Sequence, residues 1–372
     1  MSEEIYVTRA SMPPLEDYVE EIRGLFSSRM ITNMGEKYER LTEELRSFLG
    51  TEQLVLLANG HMSLELTLQA MKLKGEVITT PFTFASTTHA IVRSGLTPVF
   101  CDIREDNYTL DPENIEALIT ENTSAILPVH VYGNVCAVEE IDAIARKHHL
   151  KVIYDAAHSF GVSYRGRGIG NYGDAAVFSF HATKVFNTVE GGAAAFRDAS
   201  FAEAVSRLAN FGIISEDDVV AAGMNAKMNE FQAAMGLCNL RHFERDREAR
   251  GRLWHQYREE LADIPGVVCP ALPADAVYNY SYFPIRIVGS EYGGSRDDLA
   301  AGLRAEHIYP RRYFYPLTSD YLCYRGVLSP GVTPRARRAA EEILTLPLYP
   351  DLGEEQVSRI CSIIRGMHRS AK

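Results

Sequence analysis

Lys184 stands in unusually apolar company, within Ser179-Phe-His-Ala-Thr-Lys184-Val-Phe-Asn187. Burial disfavours an ammonium, so a lysine in such a setting is partly free amine, able to attack an aldehyde carbon and later to carry a proton. Asp155 closes the apolar run Val152-Ile-Tyr154, where a carboxylate can partner a protonated ring nitrogen. Gly60-His61 opens a helical pattern whose first N–H groups suit a phosphate, Ser179 offers its hydroxyl to the same anion, and Phe84 offers a face to a flat ring. Taken singly, Lys184 also reads as a surface lysine on a loop and Asp155 as a helix cap or solvated strand-end residue. Their joint order along the chain is what links them to one site.

That order depends on the elements between them. Apolar spacing predicts a helix over Gly35 to Gly50, then strand Gln53 to Leu57, helix His61 to Leu73, strand Val77 to Thr80, helix Ala85 to Arg93 and strand Thr97 to Cys101. Strand Ala125 to Val129, a helix near Glu139 to His148, and strands Lys151 to Asp155, Ala175 to Phe180 and Ala193 to Phe196 follow. Alternation of this kind predicts an α/β fold with a mainly parallel seven-stranded sheet flanked by helices, whose ligands gather at the carboxyl ends of the strands. Residues 13–245 are expected to form this large domain, and 246–372 a smaller α+β C-terminal domain.

Within the latter part, Asn225 to about Leu261 reads as helical. Pro284 makes Tyr282 to Val288 an edge strand, Ser295-x-x-Asp298 caps a helix, and Thr333-Pro334 opens another. Gly168-Ile-Gly170-Asn-Tyr-Gly173 matches the dinucleotide fingerprint, but a strand-like segment follows it where that fingerprint needs a helix.

A formal charge of −11 argues against a broad nucleic-acid or anionic-membrane surface, while leaving room for a local phosphate site. The six cysteines form no CxxC pair, and no metal-binding pattern occurs, so neither a disulfide framework nor a metal site is expected. No leader-like or membrane-spanning segment is read, and a cytoplasmic protein is expected.

These residues resemble the DegT/StrS group of sugar aminotransferases, pyridoxal-phosphate (PLP) enzymes of the aspartate-aminotransferase type (fold type I). The likeness is carried by Asn33-Met-Gly35, Asn59-Gly60, Pro81-Phe-Thr-Phe84, Asp155-Ala-Ala-His158, Ser179 to Lys184, Glu190-Gly-Gly192, Gly223-Met-Asn225-Ala-Lys227-Met228 and Arg311-Arg-Tyr-Phe-Tyr-Pro316-Leu317. It implies Lys184 as the Schiff-base lysine, Asp155 on the pyridine nitrogen, Phe84 stacked on the ring and Ser179 on the phosphate. Backbone groups of Gly60, His61 and Met62 would reach the phosphate, and His158, where the family often has glutamine, the phenolic oxygen. Asn225 would serve the neighbouring subunit's cofactor in a homodimer with shared sites, although it also reads as a cap for the helix that follows. His61-Met62 and Thr318 depart from the family pattern.

The same resemblance implies amination of a keto-sugar nucleotide with L-glutamate as donor. Ser179 to Lys184 followed by Glu190-Gly-Gly is similar to enzymes acting on carbon 4 of dTDP-4-keto-6-deoxyhexoses. Lys227, Arg311, Arg312, Tyr313 and Tyr315 are the candidate substrate residues. A 3-keto sugar nucleotide, an aminocyclitol, and a non-catalytic PLP-binding regulator are the rival readings.

Overall fold

The computed structural model describes residues 4–368. Residues 1–3, where the leader-free reading starts, and 369–372, the last of the expected small domain, lie outside the described residues. The chain opens with β1 (Ile5–Tyr6), α1 (Leu15–Ser28) and α2 (Glu36–Leu49), then runs through β2 (Gln53–Leu57), α3 (Gly60–Ala70), β3 (Glu76–Thr79), α4 (Ala85–Arg93), β4 (Thr97–Phe100) and β5 (Thr123–Leu127). After α5 (Val138–His148) and β6 (Lys151–Asp155) come the short strands β7 (Ser163–Tyr164) and β8 (Arg167–Gly168), then β9 (Ala175–Ser179), β10 (Gly192–Phe196), α6 (Ala199–Ala209) and the 32-residue α7 (Glu230–Leu261).

Seven of these strands form one sheet, ordered β2-β10-β9-β6-β5-β3-β4. Six run in the same direction, and β10 is antiparallel to both its neighbours. Side chains alternate across the sheet, as the pleat requires. Leu54, Leu56, Val152, Tyr154 and Phe178 join the core under α2, α5 and α7, whereas Val55, Leu57, Ile153 and Val177 join the core under α3, α4 and α6. Both faces are covered, which is why the strands read as nearly continuous apolar runs.

A third core gathers Leu253, Trp254 and Tyr257 of α7 with Phe283, Ile285, Leu344, Leu346, Val357 and Ile360, and it also takes in Ile5. Accordingly β1 pairs in parallel with Ile308–Tyr309, so the start of the chain packs with its last third. The Ser295/Asp298 capping box forms as read, at the start of the helix Arg296–Ala305. The Gly168–Gly173 match leads through a 3-10 turn, Ile169–Asn171, into β9, and not into a helix.

Two expectations need correction. Phe283–Ile287 is the middle strand of a three-stranded sheet, between Val267–Val268 and Ile343–Leu346. Pro284 is tolerated there because its partner Thr345 turns both backbone groups the other way, to Arg311 (3.1 and 2.8 Å), and Val267–Val268 reaches only Ile287 and Arg286. The missing N–H therefore faces no strand. Next, α7 begins at Glu230, since Asn229 and Gln232 form its capping box, so Asn225 lies outside the helix and does not cap it. Sequence reasoning missed α1, although Leu15, Tyr18, Val19, Ile22, Leu25 and Phe26 recur at helical spacing; Leu15, Val19 and Phe26 are exposed, and the helix docks through Leu25 and a buried Glu21 paired with Lys37, Arg40 and Arg241.

Among the described residues no helix is long and apolar enough to cross a membrane, and no cluster of three or more potential ligands could hold a metal.

The start of α2 is capped from a distance. Its N-cap, Gly35, has no side chain to offer, and the buried carboxylate of Glu230 accepts N–H bonds from Gly35 (3.0 Å), Lys37 (2.8 Å) and Tyr38 (3.3 Å). A Cβ on Gly35 would stand 2.8 Å from that carboxylate. Losing the charge-assisted bonds costs on the order of 2 kcal/mol. Glu230→Gln and Gly35→Ala should each lower the thermal midpoint of the protein by a few degrees in a calorimetric scan, and an unchanged midpoint in both would refute this capping role.

Candidate active site

Because β2, β3, β6 and β9 run the same way, their carboxyl ends share one edge of the sheet, and the residues singled out above follow those ends. Asn59-Gly60 follows β2, Pro81 to Phe84 follows β3, Asp155 ends β6 and Ser179 ends β9. The strand order separates β2 from β9 by β10, so the start of α3 must cross the end of β10 to reach Ser179. It crosses at Gly192, where a Cβ would lie 2.5 Å from the Asn59 carbonyl carbon and 2.6 Å from the Gly60 nitrogen. Gly60 in turn approaches Ser179 so closely that a Cβ would lie 2.8 Å from the serine Cβ. The Ser179 hydroxyl thus stands beside the N-terminus of an eleven-residue helix.

At that terminus Asn59 caps α3 through Oδ1, which accepts the Met62 N–H at 2.9 Å. This corrects the expectation for Met62, whose amide is already engaged, and leaves the N–H groups of Gly60 and His61 as the donors facing an anion. The His61 ring is turned aside, with Nδ1 at 2.9 Å from Ser86 Oγ and Nε2 at 3.0 Å from the buried Glu65 carboxylate. Phe84, the residue before α4, leaves 59% of its surface exposed.

Asp155 is buried, with one donor on each carboxylate oxygen: the Ala157 N–H on Oδ1 (3.1 Å) and the Thr87 hydroxyl on Oδ2 (2.7 Å). Burial pushes its pKa up, against the pull of these two donors and of the Lys184 charge. His158 accepts the Tyr132 N–H at Nδ1 (3.0 Å), and burial together with Lys184 holds its pKa well below the usual range. It is therefore a neutral imidazole whose proton sits on Nε2, ready to donate.

Lys184 follows a turn in which its own N–H donates to the His181 carbonyl, and Val185 and Phe186, buried in the core below, anchor the chain just beyond it. Its stem is half-buried, and it shares a narrow hollow with Ala157, His158, Thr183, Ser281 and Tyr282. Burial pushes the amine down to about 8, although the Asp155 charge pulls the other way. Its Nζ donates to the Tyr282 hydroxyl at 3.4 Å. Tyr282 is a residue that sequence reasoning missed. It lies about a hundred residues further on, and no local pattern marks it apart from other aromatic residues of its strand.

The candidate substrate residues divide. The Tyr313 ring packs edge-on against Tyr282 at 5.9 Å, which brings it to the lysine hollow. Arg312 and Tyr315 instead form an outer stack (5.0 Å) tied to Asp297 through Arg312 (3.4 Å), and Arg311 lies over the Tyr313 ring at 5.7 Å. Lys227 donates to Asn210 Oδ1 at 2.8 Å and covers the Phe211 ring at 5.1 Å. Asn225 is exposed and bridges Asn210 through the backbone, at the root of a loop whose Ile213, Ile214, Val219 and Val220 are also exposed. Thr318, by contrast, is buried and structural, joining the Thr88 hydroxyl (2.8 Å) to the Pro81 carbonyl (3.3 Å).

The donor set fits a flat, phosphorylated pyridine aldehyde such as PLP. Two helix amides and a hydroxyl form an anion cradle that a side chain at residue 60 or 192 would fill. An exposed aromatic ring precedes α4 at the same sheet edge, a buried carboxylate keeps lone pairs free for a ring N–H, and an amine of lowered basicity lies in its own hollow at that edge.

Comparison with known proteins places nearly the whole chain in a family. Residues 15–365 match the DegT/DnrJ/EryC1/StrS aminotransferase family. The chain is 41% identical over 367 residues to the dTDP-4-amino-4,6-dideoxy-D-glucose transaminase of Shigella dysenteriae, covering 98% of this chain and 99% of that one. It is equally similar, at 41%, to the enzyme of that name from Escherichia coli, covering 97% of this chain and 98% of that one. Among solved structures, DesI with its TDP-sugar product superimposes with a TM-score of 0.94 at 36% identity, over 98% of this chain and 93% of that one. The chain, with its mainly parallel sheet and its amine, carboxylate and anion cradle at one edge, belongs to the DegT/DnrJ/EryC1/StrS aminotransferase family.

Proposed function

We propose that this aminotransferase uses PLP to convert a dTDP-4-keto-6-deoxyhexose to the 4-amino sugar, with L-glutamate as amino donor, as a cytoplasmic homodimer. The meeting of Lys184, Asp155, Ser179 and the α3 N-terminus at one sheet edge carries the cofactor reading. The near full-length likeness to transaminases named for a 4-amino-4,6-dideoxyglucose carries the substrate. PLP, when bound, supplies an electron sink for the pair left on a substrate carbon that loses its proton.

The residues of the chain divide the remaining work. With the cofactor bound, the Lys184 amine, less basic than an ordinary lysine, would hold its aldehyde carbon and would be the base that takes the proton from the substrate carbon and returns it. Asp155 would hold a proton on the ring nitrogen. His158, neutral and donating from Nε2, would bind the phenolic oxygen, while Ser179 with the Gly60 and His61 amides would fix the phosphate. Phe84 would cover one ring face. Tyr313, beside the lysine hollow, borders the sugar site, and Lys227, Arg311 and Arg312 are the cations nearest in kind to what a nucleotide diphosphate needs.

Support for a dimer comes from exposed apolar residues at Phe26, Met30, Ile31, Ile214, Val219 and Val220, a density that a second copy would bury. Asn225 stands at the root of the last of these segments, suited to reach across to the partner's phosphate.

Three outcomes are expected. Incubated with L-glutamate and a panel of 3-keto and 4-keto dTDP-sugars, the enzyme should place the new amine on carbon 4, located by NMR; amination at carbon 3, or of no member, would overturn the substrate assignment. Borohydride trapping of added PLP on cofactor-free protein should label the Lys184 peptide in a mass spectrum. Because the folded pKa is about 8, below the ordinary 10.5, the amine is free at a pH where other lysines are charged, so trapping should rise through about pH 8. Label on another peptide, or a midpoint near 10, would contradict it. Mixed dimers of inactive Asn225→Ala and Lys184→Ala proteins should recover activity through their one intact site, and none would be regained if Asn225 served its own subunit.

A further inference from the structure

The Asp155 carboxylate is reached by a chain of hydroxyls that no step above uses. Thr87 Oγ1 lies 2.7 Å from Asp155 Oδ2, and Thr83 Oγ1 lies 2.8 Å from Thr87 Oγ1. All three side chains are buried. A threonine hydroxyl carries one proton, and an ionised carboxylate only accepts. Thr87 must therefore spend its proton on Asp155, which obliges Thr83 to donate to Thr87. If Asp155 were protonated toward Thr87, both bonds would be free to reverse. The direction of the chain and the charge of Asp155 are thus one variable.

Two further facts give the chain its position. Thr83 is adjacent to Phe84, and Thr87 lies in the first turn of α4, so the relay ties the segment bearing the exposed ring to the carboxylate at the end of β6. That segment is held independently on its other side, where Thr88 donates to Thr318 and Thr318 bonds the Pro81 carbonyl through both its hydroxyl (3.3 Å) and its N–H (3.0 Å). Neighbouring threonines on α4 therefore perform separate tasks, one toward Thr318 and one toward Asp155.

We propose that Thr83 and Thr87 form a directed hydroxyl relay that holds Asp155 ionised and oriented toward the cofactor's ring nitrogen, which makes Thr87 a positioning residue for amino transfer. The proposal rests on the reading of Asp155 as the ring-nitrogen partner. Without Thr87, Oδ2 would be left in a buried site with no donor on that side, where the charged form is costly. The ring nitrogen would then share less of its proton. Thr83 acts only through Thr87, so its removal should matter less and should matter only while Thr87 is present.

The test uses the whole enzyme reconstituted with PLP labelled with 15N at the ring nitrogen, whose chemical shift reports protonation. Asp155→Ala defines the shift of the unpartnered ring. Thr87→Val should move the signal part of the way toward that value and lower kcat about tenfold with little change in KM, the loss of one charge-assisted bond. Thr87→Ser should restore both. Thr83→Val should move the signal less and add nothing in the Thr87→Val background, since serial links do not act independently.

A Thr87→Val shift equal to wild type, while Asp155→Ala moves, would overturn the relay and leave the Asp155 assignment intact. Additive effects of the two threonine changes would likewise overturn it. An Asp155→Ala shift equal to wild type would remove the ring-nitrogen role of Asp155 and the relay with it. Should Thr87→Val not fold, the Thr83→Val signal decides alone: displaced toward the Asp155→Ala value, it supports the relay, and unmoved, it overturns it.

Discussion

The site depends on one close approach of backbone. The start of α3 lies over the end of β10 and against Ser179, and it can do so only because residues 60 and 192 carry no side chain. The reversed direction of β10 is part of the same constraint: its first residue, not its last, stands at the ligand edge, and that residue is Gly192. A helix terminus, with its unpaired N–H groups, is thereby brought to a hydroxyl from a strand two places away. Asp155 and His158, one strand further along, follow from register, since β6 pairs with β9 through Asp155 and Val177.

Desolvation then sets the chemistry at this edge. It raises Asp155 and lowers Lys184, each away from charge, and the two oppose that trend in one another. Neither group is left at its solution value. The Thr87 hydroxyl and the Ala157 amide hold the carboxylate, while the Tyr282 hydroxyl accepts from the Lys184 amine. His158 is kept neutral by the same burial and is given its tautomer by a single backbone N–H.

Much of this was legible in the sequence because it is local. Apolar runs ending in Asp155 and Ser179 announce strands and what stands at their ends, and Gly60-His61 opens a helical pattern after the first of the strands. Helix α7 and the capping box at Ser295 could likewise be read from spacing. What escaped is long-range and polar. Glu230 caps a helix almost two hundred residues earlier, Glu21 docks α1 by ion pairs, and Tyr282 meets Lys184 from about a hundred residues further on. Tyr282 itself packs in a separate cluster with Phe82, Tyr132 and Phe314. None of these contacts has a period. Pro284 misled for a related reason: whether a strand is at an edge depends on its neighbours, and Thr345 turning toward Arg311 is invisible from Pro284 itself. Met62 misled because Asn59, three residues away, had a prior claim on its amide.

Helix α7 carries a mechanical consequence. At about 1.5 Å per residue its 32 residues form a strut roughly 48 Å long. Its first half, to Phe243, is embedded in the core beneath the sheet, and from Leu253 onward it is embedded in the core of the C-terminal part. Jaw-like closure pivots on a few loop residues that can absorb a change of dihedral angles. Here the link between the two cores is a run of intact helical hydrogen bonds, so the span between them is held stiffly. Any movement that admits a substrate falls to lighter pieces, such as the exposed segment after Phe211.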